Sequence, residues 1–504
     1  MSLVASLLRM ALAPVAQGFH QALEHPQQAQ GRVQRQICDR LLASQYGQAL
    51  GVQSVADWSQ IPIVDYDEMA PWIQRQQGNT APILTPEPIL FYEKTSGSRG
   101  PAKWIPYTRS LRRSFNHLFC IWAHDLLSHG PPFASGKAYF CISPQLNDPP
   151  SGDLSIGLAD DSEYLDPWLR WLLKPFLVMP PGLTRLQDPE QFKHQLCLAL
   201  LQDVNLEIIS IWSPSFLQVL LHYIQAHRTE LQSELQGKLS PDRLGLLGAS
   251  PLPWTTLWPK LKLISCWDSV HAADRAAVLR QLFPDVLVQG KGLLATEAPI
   301  TVPLIQARGF LPLLDEVFLE FADADNRIHL LHELEMGTPY SVILSQKGGL
   351  YRYRLGDRVR ATHQYKATPC LEFLGRDQPL SDLVGEKLHE DFVRDVLTTL
   401  DLPDTSYQSL VSVLHPTPHY VLLLDRASQP PENLARTLDR GLCQSYQYRQ
   451  ARHLGQLTAA QVIVSETIAA TIVQVRLQQG QKWGDVKHPL LLTTPLPHLP
   501  RDGQ

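Results

Sequence analysis

The 504-residue sequence contains no long uninterrupted apolar run and no excess of basic residues. A membrane-spanning helix needs about 20 consecutive apolar residues. The N-terminal segment MSLVASLLRMALAPVAQ is apolar, but Arg9 interrupts it and no basic leader precedes it. The formal net charge is −5, whereas a nucleic-acid-binding surface needs a basic patch or stripe. We therefore expect neither a membrane nor a nucleic-acid partner.

The sequence also lacks the cysteine and histidine patterns of disulfide frameworks and zinc sites. Its seven cysteines are odd in number and scattered, and no CxxC pair occurs. His332-Glu333 has no second histidine that would complete an HExxH motif. Free thiols of this kind are typical of a reducing compartment, so we expect a cytoplasmic protein.

What the sequence does contain is an alternation of predicted strands and helices. Its length exceeds the roughly 100–200 residues of one domain. The segments KAYFCIS, LEIISIW, LKLISCW and DVLVQG read as buried strands separated by helices, which predicts α/β layers with partly parallel strands. After residue 300, strands joined by tight turns predict an antiparallel or barrel-like region. A boundary is expected near 373–379, followed by an α+β module whose predicted strands include AQVIVSE and ATIVQVRL.

A candidate phosphate-binding loop lies in FYEKTSGSRGPAK, which ends at Lys103. Glycines allow close backbone approach, and their amides can form a concavity for an anion. Hydroxyls donate hydrogen bonds to phosphate oxygens, and lysine adds a positive charge. The spacing differs from GxxxxGK[ST] and a proline intervenes, so this is not a Walker A loop. An ordinary polar turn explains the same composition.

Further candidates follow along the chain. Glu297 follows a predicted strand and could hold Mg²⁺ through its carboxylate. Asp357 ends the predicted strand YRYRLGD, where it could accept both hydroxyls of a ribose, and Arg376 in FLGRD could contact ribose or phosphate. Taken singly, Glu297 fits a solvated loop residue better than a metal ligand, and Asp357 fits a residue that opens a turn better than a ribose ligand. Arg376 also fits a surface ion pair. Lys387 opens the last module.

The order of these segments resembles the Gretchen Hagen family of acyl-acid amido synthetases, the auxin-conjugating branch of the adenylate-forming superfamily. TSGSRGPAKWIPYT and YRYRLGD carry the resemblance most specifically, and LWPKLKLISCW, FLGR and GEKLHEDFV extend it nearly end to end. The resemblance implies an α/β adenylate-forming fold. A large N-terminal domain, residues 1–376, would contain a β-barrel and two helix-flanked sheets and would bind ATP and the acyl group. Residues 377–504 would form a small, mobile α+β lid.

The resemblance also implies roles for individual residues, with ATP and Mg²⁺ as cofactors. Lys103 and Lys387 would be catalytic, Glu297 would hold the metal, and Trp212 and Phe216 would line the acyl pocket, although a plain core role fits both aromatic residues as well. The loop departs from the family pattern in its length and at Arg99, and the acidic segment departs at Leu294. The residues implied to bind the nucleotide are Thr95, Ser96, Gly97, Ser98, Gly100, Thr296, Glu297, Asp357 and Arg376.

The implied reaction is attack of a substrate carboxylate on the α-phosphorus of ATP, followed by acyl transfer to an amine, with an amino acid as the expected acceptor. One alternative is a ligase that passes the acyl group to coenzyme A or a carrier thiol. An alternative of another class is a catalytically silent nucleotide-binding or scaffold protein. We expect a monomer or a small homo-oligomer.

Overall fold

The chain divides into two compact units, with the division between Gly375 and Arg376. The computed structural model describes residues 3–94, 103–140, 174–180, 182–183, 186, 188–376, 380–381, 383, 386, 388–403, 405–413, 417–453, 457–478 and 488–492.

A four-stranded parallel sheet forms the α/β part of the first unit. Its strand order is β3-β4-β5-β6, so each strand pairs with the next one along the chain. The apolar, β-branched runs predicted as strands are confirmed, because side chains buried on both faces suit parallel strands. The strands are β3 (Lys137–Phe140), β4 (Leu206–Ser210), β5 (Leu263–Cys266) and β6 (Leu287–Gly290).

Helices of the first unit precede and flank this sheet. In α5, the Thr108 side chain accepts a hydrogen bond from the Leu111 amide and caps the N-terminus. One stripe of α5 is buried, including Phe115, Leu118 and Trp122, at the spacing of an amphipathic helix. The helices are α1 (Leu3–Glu24), α2 (Pro26–Leu42), α3 (Gln45–Leu50), α4 (Tyr66–Gln76), α5 (Arg109–His129), α6 (Pro189–Gln202), α7 (Pro214–Ala226), α8 (Arg228–Leu235), α9 (Pro241–Leu246), α10 (Trp254–Leu257) and α11 (Ala273–Leu282), with 3-10 turns at Val55–Gln60, Lys174–Phe176, Val270–Ala272 and Leu331–Glu333.

The antiparallel region predicted after residue 300 is confirmed. A five-stranded sheet has the order β12-β11-β13-β14-β15. Two short hairpins, β7-β8 and β9-β10, precede it in the chain. Among the described residues, the strand pairings of this sheet run from β12 to β15. The strands and hairpins are β1 (Ile89–Lys94), β2 (Trp104–Thr108), β7 (Leu294–Ala295), β8 (Ala298–Pro299), β9 (Thr301–Leu304), β10 (Gly309–Pro312), β11 (Phe318–Ala322), β12 (Ile328–Leu330), β13 (Pro339–Gln346), β14 (Leu350–Tyr365) and β15 (Thr368–Arg376).

A buried ion pair within this sheet also forms hydrogen bonds to the segment before α4. The guanidinium of Arg352 donates to both carboxylate oxygens of Glu320, at 3.0 and 2.9 Å. It also donates to the carbonyl oxygen of Ile61 at 2.7 Å, and the Trp58 indole donates to Glu320 at 3.1 Å. The amide of Arg354 donates to the Val64 carbonyl at 2.8 Å. These bonds fix the backbone that leads into α4.

The second unit is a four-stranded sheet with helices. Its order is β20-β19-β18-β21. The strand predicted for ATIVQVRL is wrong, because these residues belong to the helix α15. Ile468 and Ile472, four residues apart, are buried on one face of that helix against Val411 and Leu423 of the sheet, and this helical period outweighs the β-branched composition. The elements are β16 (Leu380–Ser381), β17 (Leu388–His389), α12 (Glu390–Thr398), β18 (Gln408–Val413), β19 (His419–Leu424), α13 (Pro431–Leu442), α14 (Tyr446–His453), β20 (Gln461–Val464), α15 (Ile468–Gln478) and β21 (Leu491–Leu492).

Among the residues that the structure describes, no helix is both long enough and apolar enough to cross a membrane.

Candidate active site

The two strands that bracket the candidate phosphate loop form an antiparallel pair. In this pairing Lys94 of β1 stands opposite Trp104 of β2. The predicted loop residues Thr95, Ser96, Gly97, Ser98 and Gly100 lie outside the described residues, as does Lys387. Lys103, immediately before β2, is described.

Tyr66 contacts Lys103 and the first residue of β2. The Lys103 ammonium lies 5.4 Å from the centroid of the Tyr66 ring, within the range of a cation–π contact. The Tyr66 hydroxyl oxygen accepts a hydrogen bond from the Trp104 amide at 2.7 Å. Burial raises the pKa of Tyr66 against the hydrogen bond from the Trp104 amide, which lowers it, and the charges of Asp67 and then Glu297 add to the rise. Tyr66, the first residue of α4, therefore ties that helix to the start of β2 beside Lys103.

Thr296 and Glu297 form the two-residue turn of a hairpin. Ala295 of β7 pairs with Ala298 of β8, so the two residues between them make the connection. Tyr107 of β2 donates its hydroxyl proton to the Thr296 carbonyl at 2.7 Å, which ties the turn to the strand that follows Lys103. Glu297 is only 8% exposed. The acidic segment is thus a fixed, buried turn.

Gly292 explains how the chain enters this hairpin. It adopts the left-handed conformation, with φ +70°, and an added Cβ would lie 2.5 Å from the Thr301 hydroxyl oxygen. The same hydroxyl accepts a hydrogen bond from the Leu293 amide at 2.7 Å. Both constraints favour glycine, because only glycine combines this backbone conformation with the close approach.

Asp357 does not end a strand as the sequence suggested, since β14 continues to Tyr365. Ser341 pairs with Arg358 and Ile343 with Arg354, so residues 355–357 stand opposite a single residue of β13. Gly356 within this bulge has φ +80°. A bulge redirects side chains and is common beside active sites. Asp357 is 3% exposed and lies in the same unit as Lys103 and Glu297.

Arg376 is placed differently from these residues. It is the last residue of β15, it is exposed, and it is the first residue of the second unit after the division of the chain.

The predicted acyl-pocket residues lie at and after the carboxyl end of β4. The Trp212 ring centroid is 5.8 Å from that of Trp267, which follows β5. The ammonium of Lys291, which follows β6, lies 5.1 Å from the Trp212 ring and 5.9 Å from the Trp122 ring. Phe216 is buried in α7 at 6% exposure. Trp212 therefore belongs to a group drawn from three strand ends.

Sequence reasoning missed five residues of these two groups. Trp267 and Lys291 could have been found, because Trp267 ends one predicted strand and Lys291 directly follows another, and ligands of α/β sheets bind at such strand ends. Trp122 lies within a helix, and Tyr66 and Tyr107 lie in segments where an aromatic residue reads as ordinary core. No local pattern distinguishes these last three.

The structure matches that of the Arabidopsis acyl-acid amido synthetase AtGH3.15 in complex with 2,4-DB, with a TM-score of 0.80, 19% identity and coverage of 96% of this chain and 95% of the other. It also matches 2-hydroxyisobutyryl-CoA ligase in its postadenylation state with 2-HIB-AMP, with a TM-score of 0.50, 14% identity and coverage of 91% and 93%. The fold is that of the adenylate-forming ligases.

Sequence comparison specifies the family. Residues 15–244, 310–376 and 390–495 match the N-terminal, central and C-terminal domains of the GH3 family. The jasmonoyl–L-amino acid synthetase JAR4 of Nicotiana attenuata is 22% identical over 474 residues, covering 81% of each chain. The indole-3-acetic acid-amido synthetase GH3.15 of Arabidopsis thaliana is 24% identical over 404 residues, covering 68% of this chain and 66% of the relative. The chain belongs to the GH3 family.

Proposed function

We propose that this chain is an acyl-acid amido synthetase, which converts a carboxylic acid to its acyl-adenylate with ATP and then joins the acyl group to an amino acid. Membership of the GH3 family supports this function, and the relatives above are named as amido synthetases. The observation that carries the proposal to this chain is the hydrogen bond from Tyr107 to the Thr296 carbonyl, because it ties the turn that contains Glu297 to the strand that Lys103 directly precedes. Lys103 and Glu297 are far apart in sequence, and both were predicted to serve one nucleotide.

In the first step, a carboxylate oxygen of the acid forms a bond to the α-phosphorus of ATP, and the bond to pyrophosphate breaks. No protein nucleophile is needed, so positioning and charge stabilisation carry the catalysis. Lys103 supplies positive charge to the phosphates. Asp357 accepts hydrogen bonds from the ribose hydroxyls, and Arg376 contributes a further contact to the nucleotide.

The remaining nucleotide contacts come from the loop. The hydroxyls and amides of Thr95, Ser96, Gly97, Ser98 and Gly100 donate hydrogen bonds to phosphate oxygens in this proposal. Lys387, from the proposed lid domain of residues 377–504, is the second catalytic cation. Residues 1–376 form the domain that binds ATP and the acid.

In the second step, the neutral amine nitrogen of the acceptor bonds to the acyl carbon, AMP leaves with the bonding electron pair, and the nitrogen loses a proton to give the amide. The acyl-adenylate is open to hydrolysis, so exclusion of water favours transfer. Trp212 and Phe216 provide apolar surface for the acyl group.

The acidic turn fits a divalent cation. Glu297 offers carboxylate oxygens, which are the donors that Mg²⁺ prefers, and it is held in a buried turn. Glu297 would hold Mg²⁺, which when bound offsets negative charge on the phosphates.

The free thiols are consistent with a cytoplasmic location, which we also propose. Cys38, Cys197, Cys266 and Cys370 are buried and unbonded to one another. We further propose that the chain acts as a monomer or small homo-oligomer.

Replacing Asp357 or Lys387 by alanine tests the assignment. Loss of one key electrostatic contact typically lowers a rate about 10²–10³-fold, and we expect this loss in acid-dependent exchange of pyrophosphate into ATP for Asp357→Ala and Lys387→Ala. Matched controls are Asp325→Ala and Lys238→Ala, at exposed positions, which should exchange at the wild-type rate. Exchange at the wild-type rate in both site variants would contradict the assigned roles.

Acceptor competition separates the amide-forming function from its nearest alternative. With one activated acid, amino acids, hydroxylamine and coenzyme A are supplied in turn, and AMP release and the acyl product are measured. Amide formation supports the proposal, whereas thioester formation with coenzyme A would assign the chain to thiol acylation. Absence of ATP binding and of AMP release with every acid would indicate a catalytically silent protein.

A further inference from the structure

Four side chains gather where β4, β5 and β6 end. We call Ser210, Trp212, Trp267 and Lys291, together with Trp122 of α5, the carboxyl-edge cluster. Ser210 is the last residue of β4, Trp267 directly follows β5, and Lys291 directly follows β6. Ligands of α/β sheets bind outside the carboxyl ends of the strands, so the cluster occupies the edge at which a substrate is expected.

Backbone contacts hold the cluster in register beyond the strands. The Trp267 amide donates to the Trp212 carbonyl at 2.8 Å, and the Lys291 amide donates to the Cys266 carbonyl at 3.2 Å. An added Cβ at Gly290 would lie 2.1 Å from a carboxylate oxygen of Asp268. Glycine on both sides of Lys291 lets the backbone come close to its neighbours and defines where the lysine side chain starts.

The Lys291 ammonium is held at a defined point. It donates a hydrogen bond to the Ser210 hydroxyl at 2.7 Å and lies over the indole rings of Trp122 and Trp212. The Trp122 indole in turn donates to the Gln289 side-chain oxygen at 2.9 Å. Indole faces attract a cation through the quadrupole of the ring. The result is a positive charge bordered by large apolar surfaces, which matches an anion with an apolar body.

We propose that Lys291 binds the carboxylate of the acyl acid, and that the indoles of Trp122 and Trp212 contact its apolar or aromatic body. This inference rests on the proposed function and adds Lys291 as the residue that positions the acid for the first step. The carboxylate has to approach an anionic α-phosphate, and like charges about 4 Å apart repel far more strongly near protein than in water. An ammonium beside the carboxylate offsets that repulsion while leaving an oxygen lone pair available for attack.

The position of Lys291 in the chain supports the same assignment. Four residues separate it from Thr296, and they include the left-handed Gly292 and β7. The proposed carboxylate contact and the proposed nucleotide contacts at Thr296 and Glu297 are therefore carried by one short, ordered segment. The acid and the nucleotide must react with each other, and this segment would position both.

The test measures acid and ATP kinetics separately in Lys291→Met, Lys291→Gln and Lys291→Arg. Benzoate, phenylacetate and hexanoate serve as probe acids in pyrophosphate exchange. A charged hydrogen bond to the acid predicts that Lys291→Met raises the KM for the acid about 10–100-fold, with the KM for ATP within about twofold of wild type. Lys291→Arg keeps the positive charge, so its KM for the acid should lie between the wild-type value and that of Lys291→Met. Lys260→Met, at an exposed lysine before β5, is the matched control and should leave both constants unchanged.

Direct binding provides a second readout. Titration calorimetry with the best probe acid, in the absence of ATP, should show weaker binding to Lys291→Met and normal binding to Lys260→Met. Lys291→Gln retains a hydrogen-bond donor for Ser210. If the methionine variant does not fold, the KM for the acid and the binding of the acid are measured on Lys291→Gln instead. An unchanged KM for the acid in a folded variant overturns the inference, and so does a rise confined to the KM for ATP.

The two proposals fail in different ways. If the wild-type chain shows no exchange with any acid in a broad pool, the proposed function itself is wrong. If the wild type is active and its Lys291 variants bind the acid normally, only the carboxylate site is wrong.

Discussion

Glu320→Gln is expected to destabilise the first unit substantially, because it leaves the Arg352 guanidinium buried without its counter-charge. Both side chains of the pair are almost inaccessible, at 5% for Glu320 and 7% for Arg352. Breaking a buried ion pair by removing one partner costs about 3–5 kcal/mol. With an unfolding entropy near 2.1 cal/mol/K per residue and about 370 residues in the unit, the Tm should fall by roughly 4–6 °C.

The assay is differential scanning calorimetry, supported by urea unfolding followed by tryptophan fluorescence. Glu372→Gln is the matched control, since Glu372 pairs with Arg360 at 2.6 Å on the same sheet but with both side chains about 40% exposed. Exposed pairs contribute about 0–1 kcal/mol, so this variant should melt within roughly 1 °C of wild type. Equal, small shifts in the two variants would refute the reasoning.

A double variant extends the same test. Replacing Glu320 and Arg352 together by methionine removes both charges, and swaps of a whole buried pair for apolar residues are often neutral or stabilising. We therefore expect Glu320→Met/Arg352→Met to melt above Glu320→Gln. A double variant less stable than the single one would show that the hydrogen bonds to Ile61 and Trp58 matter more than the charge.

Two further predictions concern Tyr66 and the second unit. Tyr66→Phe keeps the ring beneath Lys103 but removes the acceptor of the Trp104 amide, so the KM for ATP in pyrophosphate exchange should rise several-fold, and an unchanged value would contradict a role for this contact. Burial raises the pKa of Asp439, but hydrogen bonds from Arg452, the Ala460 amide and Tyr448 overcome it and hold that pKa below its usual range. The stability that the Asp439 carboxylate contributes is therefore complete above about pH 4, the ordinary aspartate pKa. It is lost as the pH falls through the lower pKa of the folded state. Asp439→Asn should therefore show a smaller fall in Tm than wild type when the Tm is measured from about pH 5 down to about pH 3.

The sequence predicted those strands that a short run of neighbouring residues determines. Apolar, β-branched runs such as LEIIS and LISC became the parallel strands β4 and β5 because both faces of these strands are buried. ATIVQVRL failed because the same residue types can pack a helix when their burial repeats every four residues, as Ile468 and Ile472 do. Composition alone does not separate these cases.

Site residues that belong to one sequence motif could be predicted from the sequence. Contacts between residues far apart in the chain could not. Glu297 and Asp357 were identified as functional candidates, but their settings, a two-residue turn and a bulge, depend on strand pairing. The contact between Tyr107 and Thr296 joins positions 189 residues apart. Lys291 follows a predicted strand, yet its contacts with Ser210, Trp122 and Trp212 depend on the tertiary fold.

Strand β2 acts as a fixed spacer between two parts of the site. Lys103 precedes this strand and Tyr107 lies near its end, so at about 3.3 Å per residue the two positions are held roughly 13 Å apart. Changes in the length of the segment between Lys94 and Lys103 leave this distance untouched, because the spacer begins only after that segment. A chain with a shortened loop thus retains the same separation between its lysine and its acidic turn, whereas a one-residue insertion within β2 would alter it.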